Sequence, residues 1–154
     1  MPDLEAEARA TYERYVATRE RVMAGELGWD ALADFFTDDA TFIDPAWGRV
    51  QGIENIRQFL KESMAGLETW TFPHEWTMVD GPRVVSFWQN RLPGTAPDGG
   101  PLEAPGISVL HYAGNGKFSY ELDVLNMVQV TELIAQGGWR PDPSFNLPPR
   151  KPRR

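Results

Sequence analysis

Two carboxylates stand two residues apart inside an apolar run. In the segment Tyr120-Glu121-Leu122-Asp123-Val124-Leu125, a period of two puts Glu121, Asp123, Leu125 and Met127 on one face. Acids inside a strand are unusual if that face is buried. Two of them side by side repel each other, so one holds its proton more tightly, which suits a general base or acid. The alternative is a wet strand edge, or a structural ion pair with Arg91 or Arg49. Asp44 precedes Pro45, where aspartate also makes turn hydrogen bonds. Tyr15 lies in an apolar helical stripe, and a buried phenol needs a partner. His74 sits between Phe72 and Trp76 and reads either as a packed histidine or as a catalytic one. His111 alternates to the opposite side from Ser108, Leu110 and Tyr112. Trp47, Trp76 and Trp88 are candidate aromatic walls, and such walls with few polar groups fit a flat, apolar ligand. There is no Ser-His-Asp spacing, no phosphate-binding glycine loop and no metal motif. No metal and no cofactor is therefore expected.

The elements that must hold these residues follow from hydrophobic period. Residues 3–24 read as an amphipathic helix through Leu4, Ala8, Tyr12, Tyr15, Val16, Val22 and Met23. A second helix starts near Asp30 and closes at Asp38-Asp39. Residues 40–44 read as a strand stopped by Pro45, and residues 46–49 as a turn. A third helix covers 53–67. Near residue 70 the period changes from 3.6 to 2. Trp70, Phe72, His74, Trp76 and Met78 form one rich strand face, and Asp80-Gly81-Pro82 turns the chain. Strands over 83–92, 102–113 and 117–130 follow, with a hairpin turn at Gly114-Asn115-Gly116 and a short helical end through Ile134. Helices followed by antiparallel strands give an α+β domain, with three helices over one side of a curved antiparallel sheet.

This pattern resembles the ketosteroid-isomerase and SnoaL-like branch of the NTF2-like superfamily over about residues 5–130. The resemblance is carried by Tyr15-Val16-Ala17, by residues 32–36, and by Asp38-Asp39-Ala40-Thr41-Phe42-Ile43-Asp44-Pro45. It implies a cone with a helix-lined mouth. It also implies that Tyr15 donates to an enolate oxygen and that Asp44 moves a proton at carbon. The second oxyanion-hole acid of the family falls on Ser108, which can donate one hydrogen bond but cannot act as a neutral carboxylic acid. The last strand resembles that of the SnoaL-like cyclases, where Asp123 takes the position of the base and Glu121 shares the cavity face. A histidine at position 74 is similar to that of the scytalone-dehydratase relatives. The implied function is a cofactor-independent isomerase, lyase or polyketide cyclase acting on a hydrophobic oxygenated molecule. The alternatives are an epoxide hydrolase using Asp123, Arg91 and Asp44, and a non-catalytic binding protein for a hydrophobic small molecule.

Composition bounds the setting. The 154-residue chain suffices for one domain, with 42% hydrophobic and 24% charged residues. It has no cysteine and two histidines, which fits a cytoplasmic protein without disulfides. No apolar run is long enough to span a membrane, and the N-terminal segment lacks a secretory pattern. Residues 138–154 carry five basic side chains against Asp142, or +4, so residues 1–137 carry −11 of the net −7. An acidic body argues against nucleic acid as a partner. The Pro-rich basic tail, 138–154, is expected to be a flexible, solvated end. An outward set of Phe87, Val109, Leu122 and Val124 would need cover, so a homodimer is expected.

Overall fold

Asp3 starts the first helix. Its side chain accepts from the backbone N–H of Glu5 at 3.1 Å and of Ala6 at 3.2 Å, which satisfies two otherwise unpaired donors. This is a computed structural model, and residues 3–154 are described. Helix α1 (Leu4–Met23) buries Ala8, Thr11, Tyr12, Tyr15, Arg19 and Val22 along one face. The second helix is a 3-10 helix, Trp29–Phe35, that buries Leu32 and Ala33. Strand β1 (Phe36–Asp44) therefore begins four residues earlier than the sequence suggests. The expected turn at 46–49 contains a short edge strand, β2 (Gly48–Gln51). Gly52, at φ 87, admits the chain to α2 (Ile53–Met64), which buries Ile56, Phe59 and Leu60.

Strands β3 (His74–Asp80), β4 (Arg83–Thr95), β5 (Pro101–Gly114) and β6 (Lys117–Leu125) form an antiparallel meander. The sheet order is β2-β1-β6-β5-β4-β3. The sheet is mixed rather than purely antiparallel, because β1 runs parallel to β6. With helices packed on this six-stranded curved sheet, the fold is the α+β NTF2-like cone.

Two further details depart from the sequence reading. Strand β6 stops at Leu125, because the Asn126 side chain accepts from the N–H groups of Val128 and Gln129 and so caps helix α3 (Met127–Gly137). Met127 therefore lies on a helix rather than on the carboxylate face. In the segment 70–78, a bulge between His74 and Trp76 lets β3 use two residues against one on β4: His74 pairs with Trp88, and Trp76 with Phe87. The slip turns the following side chains to the other face. Trp76 and Met78 are 43% and 65% exposed. Trp76 stacks on Phe87 at 5.2 Å on the outside of the sheet.

The tail does not project from the body. The Arg49 N–H donates to the Arg153 carbonyl at 2.8 Å, and the Arg153 N–H donates to the Trp47 carbonyl at 3.0 Å. Asn146 Nδ2 donates to the Glu62 carbonyl at 2.9 Å. Phe145 packs on Trp139 and against the backbone of Gly66. No described helix is long and apolar enough to cross a membrane.

Candidate active site

The inward rows of β4, β5 and β6 form the wall of a cavity of about 470 Å³, closed by α1, α2, α3 and the tail segment 145–148. Strand β4 sends Ser86, Trp88 and Asn90 inward, and β5 sends Ala104, Ser108 and Leu110. Between Ala104 and Ser108 stands Gly106. A Cβ there would come within 2.5 Å of the Trp88 indole. The missing side chain lets the indole lie against the strand and donate from Nε1 to Ser108 Oγ at 3.0 Å.

That hydrogen bond begins a chain. Ser108 donates in turn to Asp123 Oδ1 at 2.6 Å, directly across the β5/β6 register. Asp123 is half-buried, and it also hydrogen-bonds the carboxyl of Glu121. Tyr15, on α1, donates its hydroxyl to Glu121 Oε2 at 2.9 Å. Five side chains from four elements are thus joined, with the two carboxyl groups at the centre.

The charges of the pair are set by enclosure. Burial pushes the Glu121 carboxyl well up, the negative charge of Asp123 pushes it further, and the hydrogen bond to Asp123 holds its proton in place. Glu121 is therefore the member of the pair held toward its protonated form. Burial raises Asp123 as well, to about 6, against the lowering effect of the hydrogen bonds from Glu121 and Ser108. Asp123 is thus mostly ionised near neutral pH and well matched to accept a proton. Burial also raises the Tyr15 phenol well above its ordinary value, so it remains a donor.

Asp44 borders the same cavity from the end of β1. Its Oδ1 accepts from the N–H groups of Ala46 and Trp47, both at 2.8 Å, as a turn aspartate does. Burial nonetheless raises its pKa. Asp44 and Asp123 both line the cavity, and the charge of Asp44 raises Asp123 further. Trp47 and Trp88 line the cavity too.

Two of the sequence candidates do not reach it. Trp76 is outside, turned there by the bulge. His74 is half-buried behind Tyr12, with Nε2 bonded to Thr77 Oγ1 at 2.7 Å. Burial, helped by the charge of Arg19, lowers its pKa, so it is a neutral packed imidazole. Arg91 also faces away, forming an ion pair with Glu103 at 2.7 Å, and Arg49 is exposed on β2. Neither arginine neutralises the carboxyl pair. Among the described residues, no group of three His, Cys, Asp or Glu could hold a metal ion. The cavity includes Arg19, Trp70 and Asn90, which the sequence reading did not select. Arg19 carried a usable signal, since it follows Tyr12 and Tyr15 at helical spacing on the stripe that must be buried.

Residues 12–121 match the family model of the SnoaL-like domain. The chain belongs to the SnoaL-like family. Tyr15, Asp44, Ser108 and Glu121 fall inside the matched segment, and Asp123 lies two residues beyond it. Among solved structures, a protein described as a SnoaL-like polyketide cyclase from Jannaschia sp. CCS1 is similar. It is 17% identical, the match covers 91% of this chain and 98% of that one, and the TM-score is 0.65. A steroid delta-isomerase from Pseudomonas aeruginosa is 20% identical, with 90% and 93% covered and a TM-score of 0.61. An LEH-like epoxide hydrolase from M. tuberculosis is 14% identical, with 86% and 92% covered and a TM-score of 0.63. No curated protein sequence matches significantly. At these identities the likeness to solved structures concerns the SnoaL-like fold, which hosts several chemistries.

Proposed function

We propose that this SnoaL-like cone is the active site of a cofactor-independent enzyme that moves a proton at carbon. The substrate would be an apolar, oxygenated small molecule, and the reaction class isomerisation, cyclisation or dehydration. The observation that carries the reading is the state of Asp123: an aspartate raised to about 6, facing an apolar cavity and fixed by Ser108 and Glu121. Asp123 is the base. Glu121 carries a proton beside it, and Tyr15 and Ser108 hold the pair in orientation. Asp44, with its second oxygen free of the turn, is the candidate for returning a proton on the far side. A ligand-binding protein without chemistry would have these acids paired with arginine or open to solvent, and neither Arg91 nor Arg49 serves them. The same pairing of Arg91 with Glu103 counts against an epoxide hydrolase built on Asp123, Arg91 and Asp44. We further propose that the chain dimerises through the outer sheet face, where Trp76, Ile107 and Val124 are exposed.

The test is solvent exchange. A panel of cyclic apolar ketones is incubated with the protein in deuterium oxide, and loss of carbon-bound hydrogen is followed by proton NMR. The protein should accelerate exchange for at least one member, and Asp123→Asn should lower that rate by roughly 100-fold or more, the usual weight of a general base. Equal rates for the two proteins across the panel would reject the proton-transfer reading.

A further inference from the structure

A cation stands in the cavity wall without an ion-pair partner among the described residues. Arg19 is 6% exposed, and its Nε and Nη2 are buried without a hydrogen-bond partner among the described residues. It borders the cavity one helical turn beyond Tyr15 on the buried face of α1. Its charge acts on both Glu121 and Asp123, yet neither forms an ion pair with it. Glu121 is held toward its neutral form, and the Asp123 Oδ1 accepts from Ser108. Guanidinium groups that are buried are ordinarily paired, because removing the charge from water is costly. Two more polar groups on the same wall are also unmatched: Asn90 Oδ1 and Trp70 Nε1. A purely hydrocarbon ligand would leave all of them unsatisfied.

We propose that Arg19 is an anion-binding residue of this cavity, and that the ligand is an apolar ring system bearing one ionised oxygen group, a carboxylate or an enolate. A planar guanidinium donates in parallel to two lone pairs of such a group, and because Nε and Nη2 have almost no accessible surface, the Arg19 side chain turns toward the cavity to present them. The proposal names the class of molecule the cone takes. It rests on the reading of the cone as a small-molecule site and not on Asp123 being the base.

Calorimetric titration of the full chain near neutral pH tests it with three probes: naphthoate, ionised hydroxynaphthoquinone, and the neutral naphthalenemethanol. At least one anion should bind tighter than the alcohol by about tenfold or more, the effect of a charge-assisted bond. Which anion is preferred separates the carboxylate from the enolate. Arg19→Met, which keeps the apolar stem, should bring the anions to the affinity of the alcohol and leave the alcohol unchanged. Should Arg19→Met fail to fold, Arg19→Lys, which loses the fork, should lose most of the preference. The inference is overturned if the alcohol binds as well as both anions, if none of the three binds, or if the substituted protein keeps the preference. Exchange that persists without any anion preference would reject Arg19 alone. An anion preference that persists while Asp123→Asn still exchanges would reject the base and leave Arg19 standing.

Discussion

Glu121 and Asp123 compete for protons in a space that disfavours charge, and pH dependence follows from that. The Asp123 carboxyl is raised to about 6, so the folded protein holds this proton more tightly than the unfolded chain does. The stability from this group is fully present below the ordinary aspartate range near ~4 and is lost as pH rises through about 6. Thermal melts between those values should therefore show Tm falling as pH rises. The slope should be smaller in Asp123→Asn, and not zero, because Asp44 and Glu121 are raised as well. An unchanged slope would assign it to other acids. The catalytic limb runs the opposite way, since a base works when ionised: kcat/KM should rise with pH through an apparent value near 6 that belongs to the pair. Burial and the charge of Asp123 hold Glu121 toward its protonated form. Glu121→Gln should therefore leave that limb within about half a unit of its position while removing any ionisation at higher pH. A limb that vanished in Glu121→Gln would exchange the roles of the two acids.

At the scale of elements, the site depends on how closely β4 and β5 approach. Gly106 is the point of contact, and Gly106→Ala should force the Trp88 indole away and break its bond to Ser108. Overpacking of this kind costs about 1–3 kcal/mol. A drop in Tm together with a shift in tryptophan emission would register it, and an unchanged emission spectrum would mean that the indole does not rest on Gly106. The same strands mark what sequence can carry. The carboxylates on β6 were legible because period-2 alternation ran unbroken from Glu121 to Leu125. Tyr15 and Asp44 were legible because short patterns surround them. Trp76 was not, because one extra residue between His74 and Trp76 inverts the faces beyond it, and nothing in the apolar pattern marks a bulge. Arg19 was passed over for another reason: its helical spacing from Tyr12 and Tyr15 pointed inward, but an arginine on a helix is ordinarily read as part of a solvated face. The parallel pairing of β1 with β6 was also out of reach, since it joins segments far apart in the chain.

The whole molecule presents two opposite surfaces. The concave side holds the ionisable groups, and the convex side exposes Trp76, Met78, Ile107 and Val124. Light scattering at micromolar concentration should give twice the 17.4 kDa chain mass. Trp76→Glu combined with Val124→Glu should give the single-chain mass, because two buried like charges oppose association. A single-chain mass for the unaltered protein would reject the dimer. On the concave side, the boundary around the ligand comes from two sources. On the proposed reading, the sheet and α1 supply every group that handles protons, and residues 145–148 supply a wall from outside the family-matched segment. Asn146 pins that wall to α2, and backbone bonds from Arg153 to Arg49 and Trp47 pin the end of the tail, Trp47 being also the residue whose N–H holds Asp44. On the proposed reading, the tail shapes the boundary of the ligand and reaches the proton-moving groups only through Trp47. Selectivity and reactivity would then be borne by different stretches of the chain, the first largely by a seventeen-residue strip and the second by the body.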